Sequence, residues 1–419
     1  MLNLNARVRA YLALLSSMRG EGYIIHALER MQRESPLSSL DFAFAHEIAA
    51  GACRMSFALD YVAKKLAHQG KLSLKAKEKA LLQTALYQHL FMDRVPLYAI
   101  TNETMEIAKK YCHPTFAKFL HALMRRLNDC DTTLPEGNSI KDLSIHFSYP
   151  EMFVKDILTD YGLEEAKAIF KAGNIAPKMM VRVRGNQHLN DIAYLFEKSL
   201  SAGVVNSKAD ITKSSDLYIQ NATPILLLND LSEVTHLSRQ APISILDLCA
   251  SPGGKLLAAH DLFPNAILFA NDVSKEKLVK LNENIAKYGL NVAVTEGRGE
   301  DYSKGKFGNE KFDLIILDVP CSNSGVLNKR PEARHRLHEK AQEELFKTQL
   351  NLLEAAVTML KPKGEIWLMT CSLLKKENQA LVHEICNRHQ LKNIWMKTIL
   401  PNCDGWDGGF ACLLKRQAE

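Results

Sequence analysis

From Ile243 onward the chain alternates short apolar strands with helices, and no other feature limits its possible fold as much. Ile243 to Leu248 reads as a strand and Gly254 to Leu262 as a helix; Ile267 to Ala270 and Lys275 to Tyr288 repeat the pair. Further strands are predicted at Val292 to Thr295, Leu314 to Leu317 and Ile366 to Met369, with helices at Glu339 to Leu360 and Lys376 to His389. Trp395 to Leu400 and Gly408 to Leu414 read as a closing hairpin pair. This alternation implies a doubly wound, mostly parallel sheet.

Ligands in such sheets bind beyond the carboxyl ends of the strands, so residues just past each strand are the candidates for chemistry. Two of them are cysteines, in Leu317-Asp318-Val319-Pro320-Cys321-Ser322 and Met369-Thr370-Cys371-Ser372. A single cysteine is usually a small buried packing residue. Asp318 and Pro320, however, are poor strand residues and mark a chain turning out of a sheet. Two thiols at strand ends suggest covalent chemistry on an electrophilic substrate.

After the first strand runs Asp247-Leu248-Cys249-Ala250-Ser251-Pro252-Gly253-Gly254-Lys255, which opens a helix. A glycine turn lets backbone approach a ligand, and a helix N-terminus offers free N–H groups. Asp272 ends the second strand, where a carboxylate can accept from ribose hydroxyls. Taken alone the Gly-Gly turn reads equally well as structural. It is neither the dinucleotide G-x-G-x-x-G nor a P-loop, which disfavours NAD and ATP and leaves S-adenosylmethionine as the better candidate.

The remaining chain divides by pattern. Residues 1–130 read as an all-helical bundle, with apolar residues at helical spacing in Val8, Tyr11, Leu12 and Leu15 and again in Leu82, Ala85, Leu86 and Leu90. Ser38 with Asp41 is a helix start, and Pro96 and Pro114 punctuate helices. Residues 131–177 are a linker and connector helices, polar and turn-rich over 131–145. Residues 178–240 look mixed: a strand at Met179 to Arg184, a helix at Asn190 to Ala202 and a strand at Leu217 to Gln220. Residues 241–419 form the strand–helix domain. With 419 residues, several domains are expected. The first 20 residues lack the pattern of a secretory signal, and no apolar run is long enough to span a membrane. Nine scattered cysteines without CxxC or zinc spacing point to a reducing cytoplasm and no metal. A net charge of +6 permits a nucleic-acid partner without requiring one.

The segment Asp247 to Lys255, then Asp318-Val319-Pro320-Cys321-Ser322-Asn323-Ser324-Gly325-Val326, Thr370-Cys371-Ser372 and Glu377-Asn378, resembles the Sun (Fmu/RsmB) family of RNA cytosine-5 methyltransferases. Lys329-Arg330-Pro331-Glu332-Ala333-Arg334 and the closing Asp407-Gly408-Gly409-Phe410-Ala411 are similar to its motifs, and all occur in the family's order. Earlier in the chain, Ala85-Leu86-Tyr87-Gln88, Val95-Pro96, Asn102-Glu103 and Arg125-Arg126 resemble the NusB-type RNA-binding domain of the RsmB branch. Tyr149-Pro150-Glu151 resembles its connector, and Arg182-Val183-Arg184 the start of a small RRM-like subdomain. The resemblance implies a Rossmann-like α/β methyltransferase domain preceded by an α+β RRM-like subdomain and an all-α NusB-like domain.

The resemblance also implies roles. Cys371 is the thiolate that adds to cytosine carbon 6, Cys321 assists product release, Asp318 hydrogen-bonds the ring at nitrogen 3, and Lys255 orients Asp318. Cys249, Ala250, Ser251, Pro252, Gly253, Gly254, Lys255, Asp272, Glu296 and Asp318 are expected around S-adenosylmethionine. Lys329, Arg330, Arg334 and Arg336 are expected to contact RNA phosphates, although a solvated charged loop is an equal reading. The target base must be single-stranded or flipped out. Four positions depart from the family pattern: Glu296 stands for Asp, Asn221 for Asp, Arg184 for Asn and His335 for Trp. The resulting expectation is a cytoplasmic, monomeric methyltransferase that makes 5-methylcytosine in 16S ribosomal RNA. The alternatives are a non-catalytic RNA-binding assembly factor with the same fold, or a tRNA cytosine-5 methyltransferase.

Overall fold

A computed structural model describes residues 5–67, 72–127, 129–185, 189, 191–205, 211 and 214–417. The chain forms two compact units. One comprises Met1–Thr159 with Leu327–His338, the other Asp160–Val326 with Glu339–Glu419.

The first unit is helical: α1 (Ala6–Met18), α2 (Ile24–Glu34), α3 (Ser39–Arg54), α4 (Ser56–Leu66), α5 (Ala76–Phe91), α6 (Leu97–Tyr111), α7 (Pro114–Arg126), α8 (Ile140–Phe147) and the start of α9 (Glu151–Ala172). Ser38 Oγ accepts from Asp41 N–H at the start of α3, Pro96 caps α6, and Pro114 opens α7. The core is built on Ala10, Leu14, Ile48, Ala49, Ala52, Leu59, Leu82, Ala85, Leu86 and Leu120. Its many alanines let helix backbones approach closely, and at Gly51 a Cβ would lie 2.0 Å from the Tyr87 ring. The predicted linker is shorter than its polarity suggested, because Ser139 accepts from Asp142 N–H and starts α8 inside it. Helix α9 is broken at Gly162, where φ is +78°.

A short 3-10 helix, Pro331–Arg336, belongs to this unit and corrects one expectation. Arg334 is not a surface cation. It is fully buried, donating from Nη1 to the carbonyls of Arg54 (2.7 Å) and Ser148 (2.9 Å) and lying 4.0 Å over the Tyr149 ring. Ser148, in the left-handed region, in turn accepts from Phe57 N–H at the start of α4. Arg334 thus organises chain ends that would otherwise leave buried carbonyls unpaired.

The second unit holds two sheets. The smaller, antiparallel one has the order β2-β3-β1-β4 from β1 (Met180–Val183), β2 (Ile192–Phe196), β3 (Ser201–Val205) and β4 (Leu217–Ile219). The helix predicted over Asn190 to Ala202 is therefore two strands, and Asn190 itself lies outside the described residues. Ile192, Tyr194 and Phe196 turn one way and Ala193 and Leu195 face solvent, so the strand period wins once β3 supplies a partner. Asn229 of α10 (Ala222–Val234) fixes the turn between β2 and β3 by bonding both Leu200 N–H and Leu200 C=O.

The larger sheet is built from β5 (Ser244–Asp247), α11 (Gly254–Leu262), β6 (Ile267–Asp272), α12 (Lys275–Lys287), β7 (Val292–Glu296), β8 (Phe312–Asp318), α13 (Glu339–Met359), β9 (Leu360–Thr370), α14 (Gln379–His389), β10 (Leu391–Ile399) and β11 (Gly409–Arg416). Its order is β10-β11-β9-β8-β5-β6-β7, parallel from β9 to β7, with β11 and β10 antiparallel at one edge. Alternate residues feed two cores. Leu314, Ile316, Trp367 and Met369 pack with α10 and α11 residues, while Ile315, Leu317, Ile366 and Leu368 pack with α13 and α14 residues. Strand order reverses between β5 and β8, the place where ligands bind in such sheets.

Arg334→Leu is expected to lower the unfolding free energy by about 2–4 kcal/mol, since several buried carbonyls lose a charged donor. Denaturant unfolding followed by circular dichroism checks this, and a change below about 0.5 kcal/mol would contradict the organising role.

Candidate active site

The site starts from the β8–β9 pairing. Asp318 sits opposite Met369 in parallel register, so the chain segments that follow leave the sheet side by side. Cys321 lies three residues past Asp318 and Cys371 two past Met369, and their sulfurs are 2.9 Å apart. Asn323, at φ +60°, bridges the two segments: its Nδ2 donates to Cys321 C=O at 3.1 Å, and its Oδ1 accepts from Cys371 Sγ at 3.3 Å.

Beneath the sulfurs the loops are laced together. Glu377 is fully buried; its Oε2 accepts from Ser322 N–H (2.8 Å) and Gln349 Nε2 (3.1 Å), and its Oε1 from Ser372 Oγ (2.9 Å). The hydroxyls of Ser322, Ser324 and Ser372 form a triangle with 3.0–3.1 Å edges. Asn378 accepts from Thr370 Oγ1 and donates to Ser372 C=O. Gly325 N–H donates to Cys371 C=O, and Gly408 N–H to Gly325 C=O. A Cβ on Gly325 would lie 2.4 Å from Gly408 O and 2.8 Å from Cys371 O, so only glycine lets these three backbone segments meet. Hydrogen bonding to Cys371, burial and the neighbouring Cys371 charge, with Glu377 adding less, push the Cys321 thiol well above the ordinary range.

Lys255, on the first turn of α11, pairs with Asp318 Oδ2. Burial alone would pull the ammonium down, but Asp318 and then Asp247 outweigh it and hold Lys255 above its usual value. All four predicted catalytic residues therefore converge on adjacent strand ends as two contacting pairs, Lys255–Asp318 and Cys321–Cys371.

The predicted cofactor turn follows β5. Ala250 N–H donates to Asn271 C=O at 2.8 Å, and Asn271 Nδ2 donates to Leu248 C=O and Gly297 C=O, which ties the turns after β5, β6 and β7 together. The Ser251–Pro252 peptide is cis, and Gly253 takes φ +105° with Leu281 2.9 Å from where a Cβ would be. The Asp272 carboxylate accepts from Ser251 N–H (3.1 Å) and Ser274 N–H (3.2 Å), while Glu296 is exposed and pairs in register with Asp272. Burial pushes the Cys249 thiol up, and it packs among apolar residues instead of opening to the site.

One residue was missed from the sequence. Asp247 is buried, and neither carboxylate oxygen makes a well-formed hydrogen bond among the described residues. Burial first, then the nearby Asp318 charge, raises its carboxyl to about 7, against weaker opposing pulls from Lys255 and the Cys249 N–H. The available signal was an acidic residue ending an apolar strand. Buried orphan acceptors, a turn presenting N–H groups and carboxylates at the next two strand ends fit a cofactor carrying cationic and hydroxyl donors.

The departures have local explanations. Asn221 caps α10 through Oδ1 and donates from Nδ2 to Gly405 C=O at 2.9 Å, a bond that Asp could not make. Arg184 forms a forked pair with Asp261. His335, in the first unit, stacks on Phe57 with ring centroids 5.6 Å apart, so an aromatic packing role is kept. In that same unit Lys329 and Arg336 are exposed, and the Arg330 and Arg336 guanidiniums lie 4.3 and 5.5 Å from the Tyr23 ring centre.

Residues 234–409 match the family "16S rRNA methyltransferase RsmB/F", and residues 4–129 match the NusB family. The chain is 25% identical to the probable ribosomal RNA small subunit methyltransferase B of Bacillus subtilis, covering 97% of both chains. The fold is similar to the crystal structure of PH0851 (TM-score 0.76, 20% identity, 97% of this chain and 98% of that one). It is also similar to NSun6 from Pyrococcus horikoshii solved with SFG (TM-score 0.55, 17% identity, 64% and 99%).

Asp247 titrates near 3.9 in an unfolded chain and at about 7 here, so the folded state holds its proton more tightly. That contribution to stability is complete below about pH 4 and is lost as pH rises through 7. The stability of cofactor-free Asp247→Asn relative to wild type is therefore expected to grow by about 2–3 kcal/mol between about pH 5 and 8. Unfolding curves at the two pH values measure it, and a constant difference would sink the idea.

Proposed function

We propose that this chain, whose residues 234–409 belong to the RsmB/F methyltransferase family and whose residues 4–129 belong to the NusB family, is an S-adenosylmethionine-dependent cytosine-5 methyltransferase of 16S ribosomal RNA acting through a Cys371 adduct. The observation that carries the chemistry is the pair of sulfurs 2.9 Å apart beside an Asp318–Lys255 ion pair.

Cytosine carbon 5 is a weak nucleophile. The Cys371 thiolate adds to carbon 6, and the electrons of the 5,6 double bond move toward carbon 5 and the ring's nitrogen 3. The Asp318–Lys255 pair faces that nitrogen edge and passes a proton to nitrogen 3 as the electrons arrive, taking it back when the ring is restored. When bound, S-adenosylmethionine supplies an electrophilic methyl carbon. Asp247, Asp272, Glu296 and the backbone of Cys249 to Gly254 would hold it; the solved NSun6 relative carries SFG, an analogue of this cofactor. Once carbon 5 is methylated, its proton passes to solvent water, the C–H electrons re-form the double bond and the carbon–sulfur bond breaks, with its electron pair returning to Cys371. Cys321, in contact with that sulfur, supports this release.

RNA contact in the helical unit is assigned to Lys329, Arg330 and Arg336, with Arg334 withdrawn to its structural role. Arg336, Tyr23, Lys79 and His335 border a cavity of about 460 Å³ there.

Radiolabelled methyl transfer to unmodified small-subunit ribosomal RNA is the direct test. Label recovered as 5-methylcytosine is expected, falling by on the order of 10³-fold or more in Cys371→Ala. If the chain binds cofactor but leaves this RNA unlabelled, the substrate assignment fails. If it neither binds nor transfers, a non-catalytic assembly role takes its place. Cys321→Ala is expected to accumulate a protein–RNA adduct that survives a denaturing gel; its absence would count against the release role. Arg330→Ala with Arg336→Ala is expected to weaken RNA binding and lower the salt slope by up to about 2, since each guanidinium neutralises one phosphate.

A further inference from the structure

The turn after β5 has to hold still for both a cofactor and Lys255, and side chains from outside the turn grip its carbonyls. Asn284 Nδ2 of α12 donates to Pro252 C=O at 2.7 Å. Arg182 Nη1, from β1 of the small sheet, donates to Gly254 C=O at 3.3 Å. Gly254 opens α11, and Lys255 is the next residue. The other arm of the Arg182 guanidinium, Nη2, lies 3.3 Å from Asp261 Oδ2 near the end of the same helix. Gly254 and Asp261 are about two helical turns apart and share one face, so a single guanidinium reaches both. The Tyr218 ring of β4 covers the same turn: a Cβ on Gly254 would lie 2.9 Å from it, and the Arg182 guanidinium is 5.6 Å from its centre. Arg184 engages the far end of the helix, forking onto Asp261 and donating to Ser215 C=O. Arg182 is fully buried. A buried guanidinium adds little net stability, since an apolar side chain of similar volume packs as well without losing hydration. What the guanidinium supplies is direction, a charged donor fixed on one carbonyl.

We propose that Arg182 is a positioning residue for methyl transfer: by anchoring the first turn of α11 to the small sheet, it fixes the cofactor turn and the point from which Lys255 reaches Asp318. Being fully buried, it acts through Gly254 and Lys255 and not on the reactants. The small sheet thereby takes part in shaping the site that the larger sheet carries. The inference rests on the reading of the turn after β5 as the S-adenosylmethionine site.

Two readouts on the full chain test it: amide hydrogen exchange across Ala250 to Ala258 without cofactor, and calorimetric titration with S-adenosylmethionine. Arg182→Met keeps a long side chain without the charge. It is expected to speed exchange in that segment at least about 5-fold and to weaken cofactor binding about 10-fold. Arg184→Met loses a pair with Asp261 but no bond to the first turn, and is expected to leave both readouts within about 2-fold of wild type. Equal effects in the two variants would show that docking of the small sheet in general, and not the Gly254 bond, sets the turn, and would overturn the inference. A folded Arg182→Met chain with wild-type affinity would overturn it too. If Arg182→Met fails to fold, Arg182→Lys decides. Its ammonium keeps a charge beside Asp261 but has no fork to span both ends of the helix face, so binding at least about 5-fold weaker is expected. Wild-type affinity in Arg182→Lys would then sink the idea. If the wild-type chain itself does not bind S-adenosylmethionine, the cofactor reading fails and this inference with it; faster exchange in Arg182→Met would then credit Arg182 with holding the turn and nothing more.

Discussion

The parallel pairing of β8 with β9 is the constraint on which the rest of the site depends. Two thiol-bearing segments far apart in sequence become neighbours because Asp318 lies opposite Met369. A slip of one residue would turn alternate side chains to the other face and carry one sulfur away from the other. The register is secured from both sides of the sheet. Leu314, Ile316, Trp367 and Met369 belong to one core and Ile315, Leu317, Ile366 and Leu368 to the other, so any slip exchanges two sets of packed residues at once.

Past the sheet, apolar packing no longer specifies position, and hydrogen bonding takes over. The segments after β8 and β9 carry buried backbone and hydroxyl groups that need partners. Glu377, Asn378, the serine triangle and the Gly325–Gly408 contact supply them. These residues add little apolar burial and make an order that apolar burial could not: one geometry for two flexible, thiol-bearing turns. The same logic holds in the helical unit, where a buried guanidinium gathers the carbonyls of Arg54 and Ser148.

How much of this was legible in the chain depends on whether the signal was local. The central strands could be read because burial on both faces makes them continuous apolar runs, and the site residues because they break those runs at the exits. The stretch around Ile192 to Phe196 misled because its apolar residues suit a helix as well as a strand, and the deciding partner, β3, forms only by tertiary pairing. Arg334 looked like its exposed neighbours Lys329 and Arg336, since the carbonyls that claim it come from α3 and from the turn after α8. Ser139 with Asp142 did carry a local helix-start signal inside the presumed linker, masked by the surrounding Pro, Gly and Asn. Asp247 was visible as a residue but not as an orphan, because only the packed structure shows how little answers its oxygens.

The electrostatics of the site follow from where its charges are compensated. Lys255 and Asp318 neutralise one another, so their pair sits at the strand end with little net field. Asp247 has no such bonded cation among the described residues. At Asp247 the cost of burial is met by holding a proton, which a cationic group entering the turn after β5 could replace.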